Sequence, residues 1–148
     1  MGTLHAIEVA DRLDIIELAS RYAFFVDTFQ LEPLMQLWVD DEPTFDESRV
    51  ALGNNTGLDN IRSYFADFVF VQMAKMAHIT TNHIVEGITE RTARGQCSVL
   101  VEGEMKTGET MRAAAYYDDV YHRVGDTWKF KSRIVHPLTT PNLGSLVS

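Results

Sequence analysis

Cysteine is nearly missing from this chain, and its scarcity excludes several designs. The single thiol, Cys97, has no internal partner for a disulfide, and no Cys/His set shows zinc spacing. A basic stripe is missing as well. The formal net charge is −8 and the Lys and Arg residues are scattered, so no nucleic-acid partner is expected. Long apolar runs are absent: none approaches the ~20 residues of a membrane helix, and no membrane partner is expected. The opening "MGTLHAIEVADRLD" lacks the basic and apolar regions of a secretory leader. Ala6 stands where an N-myristoylation signal wants Ser or Thr. The expected location is therefore cytoplasmic. Repeats, low-complexity tracts, G-x-S-x-G, Gly-rich phosphate loops and H-E-x-x-H are also missing, so neither cofactor nor metal is expected.

What is present suits one compact unit, and a single domain over 1–148 is expected. A chain of this size buries roughly 68–70% of its unfolded surface and needs no staple. From His5 to Asp27 the pattern is helical: Leu13, Ile16, Ser20, Ala23 and Asp27 recur at steps of three and four, and Ile15, Leu18, Ala19, Tyr22 and Val26 lie beside them, together making a wide, mostly apolar face. A short helix is expected over Pro33–Val39, with Pro33 in its first turn. "EPTFDESRVALG" reads as a strand running into a loop. "TGLDNIRSYFADFVFVQMAK" reads as a third helix, with Thr56 as N-cap, Asp59 as capping-box partner, and Ile61, Tyr64, Phe65, Phe68 and Val69 buried. After Met76 four β-branched, aromatic-rich segments follow, separated by Gly87, Gly108 and a Gly125-Asp126 turn. Helices first and a meander of long strands afterwards predict an α+β fold. Three N-terminal helices pack on a curved, mainly antiparallel sheet, with a hollow for a small ligand between the layers.

Within "KMAHITTNH", a period of two places His78, Thr80, Asn82 and Ile84 on one strand face and Ile79, Thr81, His83 and Val85 on the other. The first face is polar for a strand lining a cavity. A bulge would exchange His78 and His83; in the regular register His83 is expected as a scaffold residue, with a subunit interface as one place for it. Asp27 shares the inward stripe of the first helix. A carboxylate there opposes the helix dipole and needs a partner; capping of the next turn is the alternative use for it. Trp38, Phe65, Phe68, Trp128 and Phe130 are expected in the core, and Met73, Met76, Met105 and Met111 as core filler. Trp38 and Phe65 are also expected at the pocket wall. Tyr116 and Tyr117 lie on opposite strand faces, and Tyr116 is favoured for the pocket. Asp119, Tyr121, Arg123 and Arg133 are expected as sheet-surface or interface pairs, Arg133 with Asp119.

In order, "RYAFFVD", "LMQLWVDD", "GLDNIRSYF", "HITTNHIVE", "YYDDVY" and "WKFKSR" resemble the SnoaL-like branch of the nuclear transport factor 2-like superfamily, the cystatin-like α+β cone. The resemblance runs from about Ala10 to Pro137 and implies a curved mixed sheet wrapped around the helices. Fold alone does not give activity in this superfamily. The placement of Asp27 and His78 is similar to the Asp–His dyad of its hexachlorocyclohexane dehydrochlorinases and scytalone dehydratases. That similarity implies a cofactor-independent lyase or isomerase acting on a small apolar, cyclic or polycyclic substrate. His78 would be the base and Asp27 its orienting partner. Tyr22, Asn82 and Tyr116 are candidate donors to developing charge. Tyr22 stands where the dehydrochlorinase has a basic side chain, and Arg133 approximates its late arginine. A homodimer or homotrimer is expected. The alternative is a non-catalytic ligand-binding domain, or the small subunit of a ring-hydroxylating dioxygenase, which shares this fold.

Overall fold

The computed structural model describes residues 6–147. The first helix, α1, spans Ala6–Asp27, and its expected start at His5 lies outside the described residues. Ile15, Leu18, Ala19, Tyr22 and Val26 are its buried centre, while Leu13 is 61% exposed. The face that packs is therefore the second stripe, with Asp27 at its margin. A short α2, Leu31–Met35, carries Pro33 in its first turn, where a missing N–H costs no helical bond. This helix ends earlier than expected. Trp38 instead forms a parallel bridge with Phe130, anchored by Phe130 N–H donating to the Leu37 carbonyl and Val39 N–H to the Phe130 carbonyl.

Two short strands follow, β1 (Thr44–Glu47) and β2 (Gly53–Thr56), joined through a 3₁₀ turn at Ser48–Val50. Thr56 is thus the last residue of β2 rather than a helix cap. Gly57 (φ 90°) caps α3, Leu58–Ser63, without a side-chain bond. The helical rod then widens into a π-helical stretch, Tyr64–Val69, and closes with one turn, α4, Phe70–Gln72. The chain turns to strand at Met73, three residues before the point its composition suggests.

Four long strands complete the chain: β3 (Met73–Glu86), β4 (Thr92–Met105), β5 (Thr110–Val124) and β6 (Thr127–Pro137). The sheet order is β2-β1-β6-β5-β4-β3. Only β1–β6 is parallel; the other pairs are antiparallel. This is a curved mixed sheet with helices on one face, the expected α+β cone. Gly125 (φ 62°) opens the β5–β6 hairpin at the first loop position, where a type II′ turn needs a positive φ.

Tyr22 is the hub of the core. Its ring meets Trp38, Phe45, Phe65, Tyr117 and Phe130 edge-on at centroid distances of 5.8–6.4 Å. Among the described residues, no helix is long and apolar enough to cross a membrane.

Candidate functional site

Asp27 closes α1, where the helix dipole disfavours a carboxylate. The compensation comes from β3. The backbone N–H of His78 donates to Asp27 Oδ2 at 2.8 Å, and the ring Nδ1 of His78 lies 2.5 Å from Oδ1. The side chains are 18% and 10% exposed. One carboxylate therefore holds both the main chain and the imidazole of one residue, which fixes the ring's rotation as well as its position. With the carboxylate accepting from Nδ1–H, Nε2 is left as the basic nitrogen.

His78 lines a cavity of about 80 Å³ that lies between helices and sheet. Its wall is mostly apolar, with Val26, Phe65, Phe68, Met76 and Val99 among the lining residues. Leu143 and Leu146 reach it from the C-terminal segment. That segment is tied to β5 by reciprocal Arg112–Asn142 backbone bonds of 2.8 Å. Five lining residues have polar ends: Tyr22, Glu47, Tyr64, His78 and Tyr117. Burial raises the Tyr22, Tyr64 and Tyr117 hydroxyls above their ordinary value, with Arg133 opposing the rise at Tyr22 and Tyr117. All three remain neutral donors at ordinary pH.

Of the site residues singled out from sequence, His78, Tyr22 and Phe65 line this cavity, and Asp27 stands behind the wall, bonded to His78. Asn82 does not line it. The β3–β4 register shifts between Thr81 and Ile84, so Asn82 and His83 together oppose one residue of β4. Asn82 takes φ 54° and is exposed, its amide reaching Ser98 Oγ at 3.4 Å. Beyond the bulge the alternation is inverted, which turns His83 inward alongside His78 rather than exchanging the two. His83 Nε2 lies 3.0 Å from the Tyr121 hydroxyl, and burial lowers its pKa. Tyr116 is also outside the cavity: it stacks on His136 at 4.7 Å, while Tyr117 faces inward. Trp38 is 1% exposed and packs behind the wall against Phe45 and Phe130.

Asp119 and Arg133 are interior and Arg123 is half-buried, contrary to a surface reading. Asp119 and Arg133 are each fully buried and share a two-pronged ion pair, Nε–Oδ1 and Nη2–Oδ2 both at 2.9 Å. Tyr121 donates to Asp119 Oδ2 at 2.8 Å. The guanidinium lies 3.7 Å from the Tyr117 ring centre, 4.3 Å from that of Phe130 and 4.5 Å from that of Tyr22. It therefore buttresses the tyrosine wall from behind. Arg123 likewise turns toward α1, meeting Asp11 Oδ1 at 2.5 Å, beside the Trp128 indole N–H at 3.1 Å. Strand alternation gave the shared face correctly; whether that face looked at water or helices was decided by sheet curvature.

His83, Cys97 and Asp119 place ligand-type atoms within 4.8 Å of one another. Arg133 already supplies the positive charge there, bonding Asp119 and approaching Cys97 Sγ at 3.7 Å. Burial pushes the Cys97 thiol up to about 11. The cluster is therefore built around a guanidinium.

Glu47 and Tyr64 are the cavity residues that sequence reasoning passed over as site residues. The available signal was in "TFDE", where Glu47 shares a strand face with the core residue Phe45.

The sequence profile of the SnoaL-like domain matches residues 8–134. The chain belongs to the SnoaL-like family. Its fold is that of the nuclear transport factor 2-like superfamily. A crystal structure named as a candidate aromatic ring hydroxylase from Novosphingobium aromaticivorans is similar at 27% identity and TM-score 0.88, covering 95% of this chain and 98% of that one. The hexachlorocyclohexane dehydrochlorinase LinA-type3 from Novosphingobium barchaimii is similar at 25% identity and TM-score 0.78, with 92% of each chain covered. A candidate scytalone dehydratase from Novosphingobium aromaticivorans is similar at 19% identity and TM-score 0.81, covering 88% of this chain and 86% of that one. No functionally curated protein matches the sequence.

Proposed function

We propose that this SnoaL-like protein is a cofactor-independent lyase or isomerase that removes a proton from a small, largely apolar cyclic substrate. The observation that carries this reading is the 2.5 Å contact between His78 Nδ1 and Asp27 Oδ1 at the wall of an apolar cavity. His78 Nε2 accepts the substrate C–H proton. The carbon–hydrogen electron pair moves into a new double bond, either expelling a leaving group or forming an enolate. Asp27 keeps the imidazole in its productive tautomer and stabilises the imidazolium. Tyr22, Tyr64 and Tyr117 hydroxyls are available to the developing negative charge. The dehydrochlorinase and dehydratase names of similar structures support the same reaction class.

The direct test is hydrogen–deuterium exchange at the α-carbon of cyclohexanone and 2-tetralone in D₂O, followed by NMR. Elimination from hexachlorocyclohexane and scytalone is assayed in parallel. His78→Ala is expected to lower the rate by about 10²–10⁴-fold, the usual contribution of a general base. Asp27→Asn should also lose most turnover. Wild-type rates in both variants would end the proposal.

The second reading is a non-catalytic subunit, favoured by the ring-hydroxylase name of one similar structure. Co-purification with a larger iron–sulfur subunit would support it, whereas a homodimer or homotrimer alone supports the lyase.

A further inference from the structure

The proposed mechanism leaves Glu47 unused, although it lines the same cavity. As a residue Glu47 is half-buried, but its Oε1 is sealed from solvent and has no hydrogen-bond partner. A sealed carboxyl oxygen without a partner is costly unless something else meets it. The neighbouring groups do not serve that atom. Tyr64 lies within hydrogen-bonding reach of the carboxyl group, yet Oε1 is still left over. Three strands separate β1 from β3 in the sheet, so the curl of the sheet brings Glu47 and His78 to one hollow from opposite sides. The cavity thus carries a carboxyl group contributed by β1 and an imidazole contributed by β3, with tyrosines and apolar side chains making up the rest of its wall.

We infer that Glu47 is the anchor for the substrate: its carboxyl group hydrogen-bonds an oxygen of the ligand, which is a small carbocycle bearing a hydroxyl or carbonyl. This inference rests on the proposed reaction only for the direction in which the bound ring presents its acidic C–H, toward His78. Seating the oxygen on β1 holds that C–H across the hollow from the anchor. It also selects oxygenated rings over halogenated or plain hydrocarbons, which offer Glu47 no comparable partner. Burial, opposed by Tyr64 and assisted by Asp46, raises the Glu47 carboxyl to about 7, so at mildly acidic pH it has a proton to donate. The other ionisable groups around the hollow are Tyr22 on α1, Tyr117 on β5 and His78 on β3.

The test is equilibrium binding of cyclohexanone and methylenecyclohexane, nearly isosteric probes of which only the first has an oxygen acceptor, by calorimetry at pH 6 and pH 8.5. Wild-type protein is expected to prefer cyclohexanone by about tenfold at pH 6, the worth of one net hydrogen bond from the protonated carboxyl to the carbonyl oxygen, with the preference shrinking at pH 8.5, where the carboxylate has no proton to donate. Glu47→Leu should bind both probes alike. Glu47→Gln, which keeps the volume and a donor, should retain the preference and lose its pH dependence. His78→Ala should keep the preference while losing turnover, which separates failure of the anchor from failure of the dyad. The inference is overturned if the wild type does not discriminate, if it binds neither probe, or if Glu47→Leu discriminates as the wild type does. Should Glu47→Leu fail to fold, a Glu47→Gln preference that still declines with pH overturns it equally.

Discussion

A carboxyl group whose proton is held more tightly in the folded chain makes stability depend on pH, and Glu47 offers a clean case. Its ordinary value is 4.5 and its folded value is about 7. Below about 4.5 the proton is bound in both states and the folded chain bears no penalty. As pH rises toward 7 the unfolded chain ionises first, so folding becomes less favourable; above 7 the full penalty is in place. At about 1.4 kcal/mol per pH unit, the whole effect is roughly 3 kcal/mol. That is a large part of the ~5–15 kcal/mol of a typical domain. The perturbation is Glu47→Gln, and the assay is urea unfolding at half-unit steps from pH 4 to pH 8.5. The useful quantity is the variant's free energy minus that of the wild type, because other titrating groups cancel in the difference. The amide's own packing adds only a constant offset. The difference should move in the variant's favour by about 3 kcal/mol between pH 4 and pH 8.5, centred between pH 4.5 and 7. A flat difference would show that Glu47 ionises as freely in the fold as in the unfolded chain, and would refute the reasoning.

Removing one member of the buried Asp119–Arg133 pair, as in Arg133→Met, should destabilise the fold by about 3–5 kcal/mol in denaturant unfolding, because a sealed charge is left uncompensated. Cys97 is 1% exposed with its thiol held up near 11. Ellman's reagent at pH 8 should therefore leave it unmodified until the protein is unfolded. At the β3 bulge, Asn82 holds φ 54°. Asn82→Gly should be neutral or slightly stabilising and Asn82→Val destabilising by about 1–2 kcal/mol, read as a shift in melting temperature.

Much of the architecture was legible because it depends on local periodicity. The step of three and four along α1, the β-branched runs after Met76 and the Gly125-Asp126 turn each predict their element from nearest neighbours alone. The misplaced boundaries lie where tertiary contacts compete with propensity. Trp38 leaves a helical pattern to bridge Phe130, and Thr56 extends β2 against Thr44 rather than capping α3. The meeting of Asp27 and His78 was legible in part, since an acid on an inward stripe needs a partner and the family resemblance points to the histidine. Asn82 and Tyr116 were misread for one reason. Strand alternation assigns residues to two faces but does not say which face is inside, and a single bulge reverses the assignment.

What the amino-acid sequence determined alone was the long elements, their order and the residue types available for chemistry, because helical and strand periods are written in the chain; the short β2 was not legible. Only the tertiary structure decided which polar groups share a cavity. The curl of the sheet brings β1 opposite β3 and so sets Glu47 facing the hollow of His78. The same curl seals Arg133 behind Tyr117. Side chains 31 positions apart in sequence, as Glu47 and His78 are, have no local pattern linking them; their common environment exists only once the sheet has closed over the helices.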